Sequence, residues 1–431
     1  MGLIIIAIMA VGVILILTGK VPTAFALFLI ATAVALVAGA TLFGTENSLL
    51  TTVYEEGATA LASTMIAVLL GSWLGSLLQE TAIASTLVRK TVEFGGDRPV
   101  VVALGILVVS ALCGSVTGSA PAALLAGVIG IPAMIAVGVP KTTAAGTILM
   151  GIGIGMPFEL PLWQFFSTTL DLSIVEVRSF MIWLFPFASI AAVAFVIIES
   201  RRRGTVHEWS LATMSARREA RPPSRRERLG DAPWYSLLSP LVPIVLALVF
   251  LVPIIPALLA GILVAVLTTT RPSMWTTRLL RSLYKGFDAA AAPITLFLAI
   301  GMLLGAVNLP GAVGALSPII DSITPTNPVL YVVVFAVLVP LCLYRGPLNI
   351  FGLGAGIAGA MTAAGVYSPM AVLGLMTSYN QVFGVADPTS TQTVWAAQYS
   401  GVSPQQVLLR TLPYVWLVAL GGIIVSAVLY L

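Results

Sequence analysis

Apolar runs follow one another along most of the chain, separated by short polar stretches or clusters of glycine and proline. Runs of membrane-spanning length lie at 3–18, 22–43, 57–79, 141–168, 176–198, 234–252, 254–270, 286–307, 370–393 and 411–431, which predicts ten crossings. Two further stretches, 99–139 and 328–366, are too long for one helix. Each breaks near its middle at small or turn-forming residues, Gly114-Ser-Val-Thr-Gly118-Ser119 in one and Arg345-Gly-Pro-Leu-Asn349 in the other. Such a stretch is either two crossings or one re-entrant hairpin. Hairpins are the expectation, because each arm is only about 15 to 20 residues long and the polar breaks need protein around them at membrane depth.

The pattern is also written twice. The segment 53–161 recurs at 283–390, shifted by about 229 residues. Gly71 and Gly75 return as Gly301 and Gly305, Cys113 as Cys342, Ala126-Gly127 as Ala355-Gly356, Pro140 as Pro369 and Gly155 as Gly384, and Glu159 falls within one position of Asp387. Internal duplication in a strongly apolar chain is a signature of secondary transporters, whose substrate site lies where the repeats meet. The expected organisation is a first repeat over 1–198, with its hairpin at 99–139 and a broken helix at 141–168. A connection over 199–233 follows, then a second repeat over 234–431 with hairpin 328–366 and broken helix 370–393.

Composition agrees with the pattern. Hydrophobic residues make up 58% of the 431 and charged residues only 9%, so the solvent is mostly lipid and the fold class is an all-α polytopic membrane protein. The stretch from Leu3 to Leu17 has neither a basic flank nor a small-residue cleavage site and is expected to be the first span rather than a cleaved signal. Cys113 and Cys342 fit no disulfide or metal pattern and are expected to be small packing residues.

Charge sets the expected orientation. The net charge of +4 is concentrated in 199–231, where nine arginines face five acids and Pro222-Pro223 interrupts any helix; the rest of the chain carries twelve charges of each sign. A polar, arginine-rich connection of this kind suits a cytoplasmic segment near anionic headgroups and not a nucleic-acid partner. With both long stretches as hairpins and this connection inside, 19 of the 21 basic residues fall on the cytoplasmic side, both termini lie outside, and the repeats are inverted. The segment 271–285 alternates basic and apolar residues at helical spacing and is expected to lie on the cytoplasmic surface as a separate amphipathic helix.

Candidate chemistry clusters at corresponding places in the two repeats. After each hairpin a helix cannot stay regular, at Gly151-Ile-Gly153-Ile-Gly155-Met-Pro157-Phe-Glu159 and at Asn380-Gln381-Val-Phe-Gly384-Val-Ala-Asp387-Pro388-Thr389. Freed carbonyls at membrane depth are tolerated where they line a cavity or face an ion, so carbonyls near Gly114 and Gly384 are candidate sodium ligands. The hairpin tips offer unpaired N–H groups to an anion, with Ser115, Thr117, Gly118, Ser119, Gly346, Asn349, Asn380 and Thr389 as candidate substrate contacts. Arg345 is a membrane-depth cation suited to a carboxylate or to a structural pair with Asp387. Glu159 and Asp387, beside Gly155 and Gly384, are candidates to handle a coupling cation or to cap the breaks. The single histidine, His207, lies in the connection and no phosphate-binding loop is present, which removes His-based catalysis from the core and ATP-driven transport from this chain.

These residues resemble the ion transporter superfamily. Gly71-Ser-Trp-Leu-Gly75-Ser-Leu-Leu-Gln-Glu80, Asp387-Pro388 and Gly401-Val-Ser-Pro-Gln-Gln-Val resemble the gluconate permease family of proton-coupled carboxylate symporters, although Ala386 and Thr389 stand where that family has Asn and Gly. Gly19-Lys-Val-Pro-Thr-Ala-Phe-Ala-Leu and Gly114-Ser-Val-Thr-Gly-Ser-Ala-Pro-Ala-Ala resemble the membrane subunit of tripartite periplasmic transporters, which is sodium-coupled and works with a periplasmic binding protein. The resemblance implies a scaffold domain and a transport domain moving as an elevator, often in a homodimer, in the bacterial inner membrane. The expected function is secondary transport of a small organic anion, a carboxylate or sugar acid, driven by protons or sodium and needing no cofactor. A tripartite subunit and an ion exchanger or channel are the alternatives.

Overall fold

Proline opens helix after helix: Pro99–Thr117, Pro310–Ile323, Pro328–Val337, Pro369–Ala386 and Pro404–Tyr430 all begin on one. At the first helical position proline gives up an N–H that has no partner anyway, and its fixed φ suits the helix. The computed structural model describes residues 1–202 and 231–431 and is helical throughout; the one bridge between extended residues in the described part joins Thr41 and Ser48. Most of the 199–233 connection therefore lies outside the described residues. Its far end is held where Asp231 pairs with Arg89 at 2.7 Å and the Ala232 N–H donates to Thr86 Oγ1 at 3.0 Å.

Six of the described helices are long and apolar enough to cross a membrane, or eight when each of two bent pairs counts as one span. This makes a multi-pass membrane protein, with fewer full-length spans than the ten expected. The runs at 3–18, 22–43 and 254–270 form helices Gly2–Leu17, Thr23–Val37 and Ile254–Thr269 of 16, 15 and 16 residues. At 1.5 Å per residue such helices reach about 24 Å, short of the ~30 Å hydrocarbon thickness. The run 234–252 breaks into Trp234–Leu238 and Leu241–Leu248, whose terminal carbonyl at Leu248 accepts a hydrogen bond from Arg178 Nη1 at 2.8 Å.

The surface helix expected at 271–285 is not separate. It continues into the following span as one 33-residue helix, Trp275–Val307. Two helices had no counterpart in the apolar pattern, Ile83–Gly95 and Pro310–Ile323. They complete a recurring order in the two halves: a long helix (Ala62–Glu80 or Trp275–Val307), a short one, a helix pair or loop around a tip, a broken helix, and a final long helix (Ile174–Arg202 or Pro404–Tyr430).

The two corresponding long helices pack on each other, and glycine sets how closely. A Cβ on Gly286 would lie 2.6 Å from Trp73 Cα; in the short helix Gly57–Ala60 that leads into Ala62–Glu80, one on Gly57 would lie 2.9 Å from Met302 Cα. Trp73 Nε1 donates to Ser282 Oγ at 3.0 Å, and at the end of Ala62–Glu80 the Glu80 carboxylate pairs with Lys285 at 2.7 Å and Arg281 at 3.3 Å. The broken helices also meet through glycine: a Cβ on Gly153 would lie 2.8 Å from Val385 Cγ2, and one on Gly384 would lie 2.9 Å from Met156 Sδ. Outside them, Arg410 of Pro404–Tyr430 pairs with the buried Glu199 of Ile174–Arg202 at 3.3 Å, and Tyr414 donates to the same carboxylate. Cys113 and Cys342 are both free and buried, as packing residues are.

Because the backbone of Trp73 leaves no room at Gly286, Gly286→Leu is expected to destabilise the fold by about 1–3 kcal/mol through overpacking. A thermal melt of the detergent-purified protein checks this, and Gly314→Leu, where a Cβ would meet nothing within 4 Å, is the control.

Candidate functional site: two helix breaks against two tips

The first broken helix runs from Lys141 to Gly155, tightens into a 3₁₀ turn at Met156–Phe158, and resumes as Leu160–Leu170 at an angle of 53°. Glu159 is the hinge residue, extended at φ −73°, ψ 102°. Its carbonyl starts the next helix by accepting from the Leu162 and Trp163 N–H groups, and the freed Pro157 carbonyl accepts from Trp163 Nε1 at 2.8 Å. In the second half, Pro369–Ala386 gives way at Asp387, extended at φ −65°, ψ 115°, before Thr391–Ser400. The two carboxylate-bearing residues thus occupy the same structural position. Here the freed carbonyls are covered by side chains: Gln392 Nε2 donates to Gly384 O at 2.9 Å, Thr393 Oγ1 to Val385 O at 3.4 Å, and Ser390 Oγ to Asp387 O at 2.9 Å. The carbonyl expected to serve an ion at Gly384 is therefore engaged by Gln392.

Each hinge carboxylate faces the tip belonging to its own half. Helices Pro99–Thr117 and Ser119–Ala136 are joined by one residue, Gly118, at φ 76°, ψ 164°, a conformation that glycine adopts without penalty. Glu159 Oε1 lies 3.4 Å from where a Cβ on Gly118 would sit. Glu159 is half-buried and has no hydrogen-bond or ion-pair partner among the described residues. Of the candidate hydroxyls nearby, Ser115 Oγ and Thr117 Oγ1 turn back onto Leu112 O and Cys113 O of their own helix, while Ser119 makes no capping bond. Gly114 and Gly155 are close-packing positions, a Cβ on either meeting the facing backbone at 3.0 Å and 2.7 Å. Residues 114–117 form the last turn of their helix, whose carbonyls lack partners further along it and carry partial negative charge.

The second tip is irregular from Leu343 to Leu353, and Asp387 organises it. Its Oδ1 accepts from the N–H groups of Tyr344 at 3.1 Å and Thr389 at 2.9 Å and from Thr389 Oγ1 at 2.7 Å; its Oδ2 accepts from the Arg345 N–H at 3.3 Å. Tyr344 and Arg345 are both left-handed, at φ 54° and 56°, each at a cost of about 1–2 kcal/mol, which these charge-assisted bonds offset. The tip N–H groups expected to meet an anion are thus occupied by a carboxylate of the protein. Gly346 is pressed against the carbonyls of its own loop, and Asn349 braces that loop by donating to Cys342 O and accepting from the Phe351 N–H.

Arg345 and Asp387 meet through backbone and not through the guanidinium. That group instead donates from Nη1 to the buried Thr23 Oγ1 at 2.9 Å, at the start of helix Thr23–Val37, and makes no ion pair among the described residues. Asn380 and its neighbour Gln381, exposed by only 3% and 2%, have no hydrogen-bond partner among the described residues, and Gln381 Oε1 lies close to Gly153 of the other broken helix. Sequence reasoning passed over Gln381, Gln392 and Thr23. A glutamine in an otherwise apolar helix was a signal for Gln381; nothing local marked Thr23, which is 322 residues from its partner.

No protein-family model matches the sequence, and no curated protein does. The fold, however, is similar to two solved structures along nearly the whole chain. One is the YdaH transporter of Alcanivorax borkumensis, at 16% identity and a TM-score of 0.59, covering 94% of this chain and 98% of that one. The other is MtrF of Neisseria gonorrhoeae, described with a class of antimetabolite efflux pumps, at 11% identity and a TM-score of 0.55, covering 95% of each chain. At these identities the likeness is one of fold, and it lies with membrane transporters. It lends no support to the specific resemblance to gluconate permeases or to tripartite subunits.

Removing the Asp387 carboxylate strands two strained backbone donors. Asp387→Ala is expected to cost about 2–3 kcal/mol and to raise amide exchange at Tyr344 and Arg345 by at least ~10-fold, read by hydrogen-exchange mass spectrometry on the tip peptide.

Proposed function

We propose that this chain is a secondary active transporter that moves a small organic anion, a carboxylate or sugar acid, at the expense of a proton or sodium gradient. The observation that carries this reading is the matched placement of Glu159 and Asp387. In a fold of the kind found in membrane transporters, each sits at the break of its helix against the tip of its own half. The recurring element order supports an inverted-repeat machine in which tips and breaks move together as an elevator.

The two carboxylates then divide the work. Asp387 is saturated by four donors and holds the second tip in shape. Glu159 has no partner among the described residues and lies against Gly118 at the first tip, so it is the group that takes up the coupling cation. Arg345 spends one donor on Thr23 and has others for a substrate carboxylate; the unpartnered amides of Asn380 and Gln381 line the route with hydrogen-bonding capacity. The remaining candidate contacts, Ser115, Thr117, Gly118, Ser119, Gly346, Asn349 and Thr389, shape the two tips around that anion.

Placement in a bacterial inner membrane, with the 199–233 connection cytoplasmic and both termini outside, and assembly as a homodimer belong to the same proposal. The likeness to MtrF adds a second reading, in which the same cycle runs as export of an organic anion against an inward cation flow. A tripartite subunit needing a periplasmic binding protein would show no uptake in proteoliposomes made from this chain alone.

Proteoliposomes with an imposed sodium or proton gradient, screened against labelled carboxylates and sugar acids, test the proposal. Arg345→Ala is expected to weaken substrate affinity by about 2–5 kcal/mol, at least ~30-fold, in protein that still melts normally. Glu159→Gln is expected to abolish dependence on the cation gradient while counterflow exchange of substrate persists. Full gradient-driven uptake by Glu159→Gln would remove its assigned role.

A further inference from the structure

Away from the breaks and tips, the described residues enclose an open cavity of about 280 Å³ that neither the proposed substrate path nor the coupling site uses. Its walls include Glu56, Asn47, Asn308, Thr52, Thr168 and Thr169. Among the described residues no lysine, arginine or histidine lines it, and Glu56 is the one charged side chain in its wall.

The backbone around it adds negative potential. Thr168 and Thr169 belong to the last turn of Leu160–Leu170, and the neighbouring wall at Leu304 and Gly305 is the last turn of Trp275–Val307, with Asn308 as its cap. Two helix C-termini therefore point partial negative charge at the same space, where a cation is favoured and an anion is not.

Independent features mark the place as built. The wall residue Thr169 has a hydroxyl with no hydrogen-bond partner among the described residues. The wall carrying Thr52 and Glu56 is an eight-residue π-helix, Leu49–Glu56, an uncommon conformation that recurs at functional sites. Asn47, just before it, is left-handed at φ 51°.

We propose that this cavity binds a small monovalent cation, separately from the coupling site at Glu159. At roughly 30 Å³ per water the space holds about nine, so it accepts either a metal ion with part of its hydration shell or a small primary ammonium. Glu56 supplies the neutralising charge, and the Asn and Thr oxygens replace water around it.

Thermal unfolding of the full-length detergent-purified protein distinguishes these sources. Sodium chloride and methylammonium chloride are titrated at constant ionic strength against choline chloride, whose quaternary nitrogen can neither donate hydrogen bonds nor be coordinated. Saturable stabilisation by sodium alone identifies a hydrated metal ion, and by methylammonium alone a primary ammonium. In either case Glu56→Gln is expected to weaken the half-saturating concentration at least ~10-fold, while Glu159→Gln leaves that response in place. Glu56 is exposed, so its variant keeps the fold, and Thr169→Ala is a second probe of the same wall. The proposal is overturned by a response equal to that of choline, by no response, or by a response unchanged in Glu56→Gln. It is also overturned if the response is lost only in Glu159→Gln, which would place the cation at the helix break instead. Because the readout is binding and not uptake, it stands or falls independently of the transport reading.

Discussion

A chain that lies mostly in lipid has no water to complete its backbone hydrogen bonds, and every departure from helix must be satisfied by protein. That requirement organises the interior of this molecule. At the second tip the partner is Asp387, which holds two left-handed residues by their N–H groups. At the second break the partners are Gln392, Thr393 and Ser390, and at the first break Trp163 covers the Pro157 carbonyl. The polar side chains that look from sequence like ligands are in several cases the hydrogen-bond complement of irregular backbone.

What escapes this role is correspondingly informative. Among the described residues no protein group takes up the hydrogen-bonding capacity of Glu159, Asn380 and Gln381, and Arg345 makes one guanidinium hydrogen bond, to Thr23, from five donors. Burying such groups unpaired is costly, so they are where a moving solute has something to gain. The two halves differ in this respect. Asp387 is fully committed and Glu159 is not, although both are extended residues at the end of equivalent helices. The two hinges share a backbone conformation and differ in use, one carboxylate being given to architecture.

Much of this was legible in the amino-acid pattern, and the parts that were not share a cause. The breaks at Glu159 and Asp387, the turn at Gly118 and the order of the halves follow from local signals: glycine and proline density, a single glycine between two apolar arms, and spacing repeated over a hundred residues. Helices Ile83–Gly95 and Pro310–Ile323 were missed because neither is a long apolar run. The join between 285 and 286 was missed because a change from amphipathic to uniformly apolar composition reads as a boundary, though the backbone passes through without a cap. The occupation of the tip by Asp387 and the docking of Arg345 on Thr23 are contacts between residues 42 and 322 positions apart, which no local pattern encodes.

The uninterrupted helix Trp275–Val307 has a mechanical consequence. It crosses Ala62–Glu80 tightly at Gly286, where Trp73 permits no side chain, and its basic end is tied to Glu80. From that fulcrum to Val307 the arm measures about 32 Å at 1.5 Å per residue, so each degree of tilt carries the far end through about half an ångström. A second close contact, Gly57 against Met302 Cα, holds the same helix near that far end, so any tilt has to disturb packing at both places.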